Sequence, residues 1–240
     1  MAAAEVCGRY GPLVQVPEAG EGEARGGINR WTAILEQFRS ARALLEARRP
    51  RRILTAGGDC SCDVAVIDYL RRQYPELTVI WVDAHLDANT AESSPSGNFH
   101  GMPVAAIMGA APAEMRADLT SPLPPARFRY VSAHAGDPGD WDFQRQHGLR
   151  WLEPGTPVSG PVHVHFDLDV FDPAEFAHLA YLDGKLPVET GVSMLHTIAR
   201  SAELVGLTIT EFAPVDEPGA QEGNRILERL CDAATGQSGR

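Results

Sequence analysis

Short apolar runs alternate with longer amphipathic stretches along most of the chain. Residues 52–56, 77–82, 128–132, 161–168 and 206–212 are runs rich in Ile, Leu, Val, Phe and Thr. They are too short for stable helices and are read as buried strands, with 149–152 a briefer one. Residues 12–16 (Pro-Leu-Val-Gln-Val) look strand-like as well. Between these runs the apolar period lengthens. Trp31, Ile34, Leu35, Phe38, Ala41, Leu44 and Leu45 fall on one face of a helix that Asn29 can cap. Val64, Ile67 and Leu70 repeat the pattern behind Ser61 or Asp63. Val192, Leu195, Ile198, Ala199 and Ala202 do so over residues 188–204, with Glu189 in the first turn. Residues 102–109 predict a short helix, 137–140 a turn leading into a helix that reaches His147, and 220–233 a closing helix.

Strands and helices alternating at this length predict an α/β fold, a three-layer sandwich whose central sheet is mainly parallel and covered on both faces. Ligands gather beyond the carboxyl ends of the strands in such sheets. With no repeat and no compositional break, the 240 residues read as a single domain, residues 1–28 forming an irregular segment rich in Gly, Glu and Pro.

Charge and composition narrow the partners. The formal charge is -11, and the one basic cluster, Arg48-Arg49-Pro50-Arg51-Arg52, reads as a solvated turn before a strand. That balance speaks against nucleic acid and against anionic membrane. No apolar run reaches the roughly 18 residues of a spanning helix. Residues 1–5 lack the charged and apolar regions of a secretory leader. Cys7, Cys60, Cys62 and Cys231 make no disulfide framework, which fits a reducing cytoplasm.

The polar exceptions at strand ends carry the chemistry. Residues 77–82 run into Asp83-Ala84-His85-Leu86-Asp87, and Val162-His163-Val164-His165-Phe166 runs into Asp167-Leu168-Asp169. Alternation points Asp83, His85 and Asp87 the same way if the extended run continues. Lone charges taken out of water cost several kcal/mol each, so carboxylates and imidazoles at the ends of buried strands imply a shared cation. The long loop 83–101 is of the kind that usually carries function.

Five motifs appear in order: Gly58-Asp59-Cys60-Ser61, Asp83-Ala84-His85-Leu86-Asp87, Ser96-Gly97-Asn98-Phe99-His100-Gly101-Met102-Pro103, Phe166-Asp167-Leu168-Asp169-Val170-Phe171-Asp172-Pro173 and Thr210-Glu211-Phe212. Together, over about residues 53–216, they resemble the arginase/agmatinase (ureohydrolase) family. The resemblance implies a manganese-dependent amidinohydrolase that cleaves a guanidino compound to urea or a substituted urea plus an amine, by attack of a hydroxide held between two ions. A guanidinium carbon is already flanked by a delocalised cation, so a hydroxide is wanted at neutral pH. Paired divalent ions supply it while carboxylates offset their charge, and oxygen-rich ligation with some imidazole suits Mn²⁺.

Carried over residue by residue, the resemblance implies that Asp83 and Asp167 bridge the ions. Asp87 would join one ion, and His85 with Asp169 the other. His100 matches the histidine that passes a proton to the leaving amine, and Glu211 the carboxylate that holds the guanidinium. Asn89, Ser96 and Asn98 match or adjoin positions that hold an amino-acid carboxylate. Asp137 falls where an acid meets the α-amino group, which favours an α-amino acid over agmatine. Family members are often homo-trimers or homo-hexamers, so like subunits and a small guanidino substrate are the implied partners.

This chain departs from the pattern in three places. The family has a metal-binding histidine where Cys60 stands, and a thiolate is soft and poorly matched to Mn²⁺. Cys60 is therefore either a ligand that weakens or changes the first ion, or a buried inert thiol. A weakened first ion favours a more reactive substrate such as N-hydroxyarginine; alternatively the chain binds a metabolite or regulates. Residues 182–187 replace a segment with paired glycines. His165 stands where many members have a small Ser and reads as a ligand, as a partner of one, or as a strand histidine facing a helix. His163 reads as core, and His134 and His178 as surface. A nucleotide site at Gly57-Gly58 is set aside for want of GxGxxG and a P-loop lysine.

Overall fold

In the computed structural model, which describes residues 6–236, the apolar runs form β1 (Ile53–Ala56), β2 (Thr78–Val82), β3 (Phe128–Val131), β4 (Arg150–Trp151), β5 (Pro161–Asp167) and β6 (Glu203–Thr210). They join in one six-stranded sheet of order β1-β6-β5-β2-β3-β4, parallel at every pairing. The main helices are α1 (Trp31–Arg48), α2 (Asp63–Gln73), α3 (Pro138–His147), α4 (Val188–Ser201) and α5 (Glu217–Thr235). Residues 1–5, where a leader was read as absent, lie outside the described residues. Among the described residues no helix is long and apolar enough to cross a membrane.

The period-two alternation of β2 and β5 sorts side chains between two cores. Ile80, Val82, Val162, Val164 and Phe166 pack with Leu195 and Ile198 of α4 and with Ile226, Leu227 and Leu230 of α5. Val79 and Trp81 face the other way, into the layer of Trp31, Leu35 and Phe38 from α1 and Val64, Ile67 and Leu70 from α2. On that second face β5 presents His163 and His165, both fully buried, where an apolar strand would place Val or Ile. Gly206 makes room for one of them, since a Cβ there would meet His163 Nδ1 at 2.3 Å.

Several local expectations are corrected. Residues 12–16 form no strand, and Leu13 is 56% exposed, because no sheet edge lies against them. Asn29 does not cap α1: Arg30 does so in the left-handed region, and Asn29 Nδ2 donates to Ser96 O and Asn98 Oδ1. Asp137 caps α3 in a reciprocal pairing with Asp140, so residues 137–140 are the start of the helix. α4 stops at Ser201, because Glu203 already pairs with Pro161 of β5. The sharp bend after β1 uses Gly57 and Gly58 at φ 102° and 76°.

Candidate metal centre

Five segments meet beyond the carboxyl ends of β1, β2, β5 and β6. β2 ends at Val82, so alternation does not carry Asp87 inward; a left-handed turn at Asp87 itself, φ 49°, does. Asp83 is fully buried; its Oδ2 accepts from Trp81 Nε1 at 2.9 Å and its Oδ1 from the His85 amide at 2.7 Å. His85 Nδ1 lies 3.0 Å from Asp169 Oδ2 and 3.5 Å from Asp83 Oδ1. Asp167 Oδ1 accepts from the Asp169 amide at 2.7 Å, fixing the turn after β5. Cys60 Sγ donates to Asp167 Oδ2 at 2.8 Å, and Thr210 Oγ1 donates to the same oxygen at 3.4 Å.

Two sets of ligand atoms converge, each within 4.8 Å of one another: Cys60, Asp83, His165 and Asp167, and Asp83, His85 and Asp169. Asp83 belongs to both, as a bridging ligand must. Asp87 lies outside these two sets; its Oδ2 is buried with no hydrogen-bond partner among the described residues.

The electrostatics are those of a centre short of positive charge. Burial and the charges of Asp83 and Asp169 push the Asp167 carboxyl well above its ordinary range. Asp87 shifts the same way through burial, Asp83 and Asp167. Asp169 rises to about 6, from burial and Asp83. Burial also drives the Cys60 thiol up, with Asp167, Asp87 and Asp83 adding to it. For Asp83 burial acts upward, but the hydrogen bond and charge of His85 outweigh it and hold the carboxyl low. Burial acts downward on His85, yet Asp169 and Asp83 lift its imidazole to about 12. A divalent ion held by these residues would relieve this repulsion and favour their ionised forms. With carboxylate, imidazole and thiol donors converging and Asp87 Oδ2 unpartnered, the residues fit a divalent cation.

At the rim, His100 Nδ1 lies 3.7 Å from Glu211 Oε1. Glu211 adopts φ 62°, and its amide donates to Gly58 O, tying the end of β6 to the Gly57-Gly58 bend. The nearby Glu211 carboxylate raises the His100 pKa against the opposing effect of burial. The side chains expected to read an amino acid fall into two groups. Asn89 is buried and donates to Asp140 Oδ2 at 2.7 Å and Asp137 Oδ2 at 3.4 Å, while its Oδ1 accepts from Ser93 Oγ. Ser96 is exposed and accepts from the Asn98 amide.

The structure adds residues that sequence reasoning passed over. Asp183 Oδ2 lies 3.2 Å from His85 Nε2, and Tyr181 lies against both His85 and His100, with ring centroids 5.5 and 5.7 Å away. Asp183 belongs to the segment that replaces the paired glycines, and Tyr181 immediately precedes it. His134 bridges Ser132 O and Asp183 O, and His178 contacts Glu222, so neither is a free surface histidine. An irregular loop has no period to betray Tyr181 or Asp183. Trp81 Nε1 and Asp63 were read only as core and helix start.

A sequence model of the Arginase family matches residues 22–234. The chain is 30% identical over 225 residues to an arginase of Neurospora crassa, covering 80% of this chain and 63% of that one. It is 28% identical over 189 residues to an arginase of Saccharomyces cerevisiae, covering 67% of this chain and 56% of that one. It thus spans less than two thirds of these curated relatives. Among solved structures, the native arginase from Bacillus caldovelox superposes with a TM-score of 0.84 at 24% identity, covering 98% of this chain and 89% of that one. Proclavaminate amidino hydrolase from Streptomyces clavuligerus shares the fold at a TM-score of 0.60 and 23% identity, covering 84% and 71%.

Proposed function

The chain belongs to the arginase family, and on that footing we propose that it is a metal-dependent amidinohydrolase, cleaving a guanidino compound to urea or a substituted urea and an amine. The observation that carries this reading is the pair of ligand sets sharing Asp83 at the carboxyl end of β2. Asp83 and Asp167 would hold two divalent ions between them, with His85 and Asp169 adding to one side, while Asp87, outside both converging sets, adds its charge beside the other. The oxygen- and nitrogen-rich His85 side suits manganese. When bound, such ions supply Lewis acidity and a water acidified enough to attack near neutral pH.

The chain's own residues do the rest. Glu211, a carboxylate with a 12% exposed side chain at the rim, offers the guanidinium its counter-charge. His100, its pKa raised by Glu211, keeps a proton near neutrality and delivers it to the leaving amine. Tyr181 flanks both imidazoles and restricts water at the mouth. Asp137 would meet an α-amino group with Asn89 holding it in place, and Ser96 and Asn98 would orient the carboxylate, so the substrate is an α-amino acid bearing a guanidine or N-hydroxyguanidine. The chain's acidity and its four free cysteines suit a cytoplasmic enzyme, and family precedent suits an oligomer of like subunits.

The test is release of urea or hydroxyurea from arginine, N-hydroxyarginine and agmatine by metal-loaded protein. Turnover of the amino acids, fastest for the hydroxylated one, supports the reading. Two bound ions with no product from any of the three would replace it with a metabolite-binding role.

A further inference from the structure

The fully buried pair His165 and Asp63 has no part in the mechanism above. Trp81, His165 and Thr208 form one register row across β2, β5 and β6, so their side chains share the face covered by α2. Asp63, the first residue of α2, is fully buried beneath that row. Its Oδ2 accepts from His165 Nδ1 at 3.0 Å and His163 Nε2 at 2.8 Å, and its Oδ1 from Thr208 Oγ1 at 2.6 Å. A carboxylate accepting on both oxygens requires the proton of His165 to sit on Nδ1, which leaves a lone pair on Nε2. The ring is clamped flat against the Trp81 indole, centroids 3.5 Å apart and planes within 9°.

His165 Nε2 has no hydrogen-bond partner among the described residues, and the side chain is 0% exposed. Leaving such a group unsatisfied costs about 1–3 kcal/mol. His163 Nδ1 is also unpartnered, but it faces Gly206. His165 differs because its ligand atom converges with those of Cys60, Asp83 and Asp167.

We propose that His165 is a metal ligand: Cys60 Sγ, His165 Nε2, Asp83 and Asp167 form a first pocket for a softer divalent ion of the zinc class, with Asp63 and Trp81 positioning the imidazole. The chain thereby has an imidazole in this pocket from β5, where the family pattern supplies one from the position of Cys60. One sulfur, one nitrogen and two carboxylate donors make a four-ligand set suited to tetrahedral zinc or cobalt, whereas the His85 side keeps the harder donors. Asp63 stands to His165 as the carboxylate that orients a metal-binding histidine, an arrangement whose loss typically lowers affinity by about 10–100-fold. The proposal rests on the metal reading of the site and not on its substrate.

The test is titration of metal-free protein with Co²⁺, followed by absorption, with folding checked by circular dichroism. The expected first equivalent gives a thiolate-to-cobalt charge-transfer band and intense visible bands of a tetrahedral ion. Cys60→Ser removes the charge-transfer band. His165→Gln weakens the first equivalent by at least about tenfold and shifts the visible bands, and Asp63→Asn weakens it by about 10–100-fold with the thiolate band retained. Two bound ions without a charge-transfer band, and unmoved by His165→Gln, would overturn the proposal while leaving the hydrolase reading intact. The bands without turnover of any guanidino substrate would sink the hydrolase reading and keep this one. Should the His165 variant fail to fold, X-ray absorption of wild-type protein holding one equivalent of Zn²⁺ decides. Sulfur at about 2.3 Å with imidazole nitrogen at about 2.0 Å supports the proposal, and oxygen alone overturns it.

Discussion

His165 Nδ1 donates to Asp63 Oδ2 across 3.0 Å, in a place where neither side chain meets solvent. Asp63 also accepts from His163 and Thr208. Burial alone would raise its carboxyl, but the charge and hydrogen bond of His163 and the hydrogen bond of His165 hold it well below the usual carboxylate range. Asp63 is therefore the ionised centre of a network joining α2 to β5 and β6. Breaking such a buried set from one side costs about 3–5 kcal/mol. Asp63→Asn should lose stability of that order in urea unfolding of metal-free protein, and an unchanged midpoint would mean the network is dispensable.

The carboxylate cluster predicts how metal-free stability varies with pH. Asp169, raised to about 6, binds a proton more tightly folded than unfolded, where its pKa is about 3.9. Its contribution is fully present below that unfolded value and is lost as pH rises through 6. Asp167 and Asp87 shift in the same direction. Asp83 is lowered, so its contribution has the opposite sign and is lost only on acidification below about 4. Metal-free protein should therefore be more stable at pH 5 than at pH 7.5. Saturating divalent metal should reverse the order, adding about 2.7 kcal/mol at a hundred times its Kd. Urea unfolding at both pH values, with and without metal, checks the crossing.

His100 sits beside Glu211 and outside both converging ligand sets. His100→Asn should lower kcat by about 10²–10⁴-fold, the usual worth of a positioned proton donor, with metal content unchanged. A loss of bound metal in this variant would instead assign His100 to the metal centre.

Asp183 reaches His85 Nε2 from a 55% exposed side chain. Exposure makes the contact cheap to remove for folding, yet it orients an imidazole whose other nitrogen faces Asp169. Asp183→Ala should leave thermal stability of the metal-free chain unchanged and weaken manganese binding by about tenfold. Isothermal titration reads this directly, and equal affinity would reduce Asp183 to a loop residue.

Much of this was legible in the sequence because parallel sheets concentrate their signals. The buried strands declare themselves as apolar runs, and their polar ends single out Asp83, His85, Asp167 and Asp169 as metal-ligand candidates. The order of motifs identified the family, and Cys60 stood out against it. What stayed hidden depended on contacts between segments far apart in the chain. Alternation could not foresee that β2 ends at Val82 and that Asp87 enters by a left-handed turn. Nor could periodicity settle His165, whose meaning depends on α2 placing Asp63 over β5. Residues 12–16 had strand-like composition without a partner edge, and composition alone cannot supply one.

The central claim, a two-ion centre built on Asp83, is tested most directly by counting metal. Protein stripped of metal, loaded with equal Mn²⁺ and Zn²⁺, desalted and analysed for both elements should hold two ions per chain, one of each. Asp83→Ala should hold none. One ion or none in the wild type, or an Asp83→Ala chain that still holds two, would contradict the account.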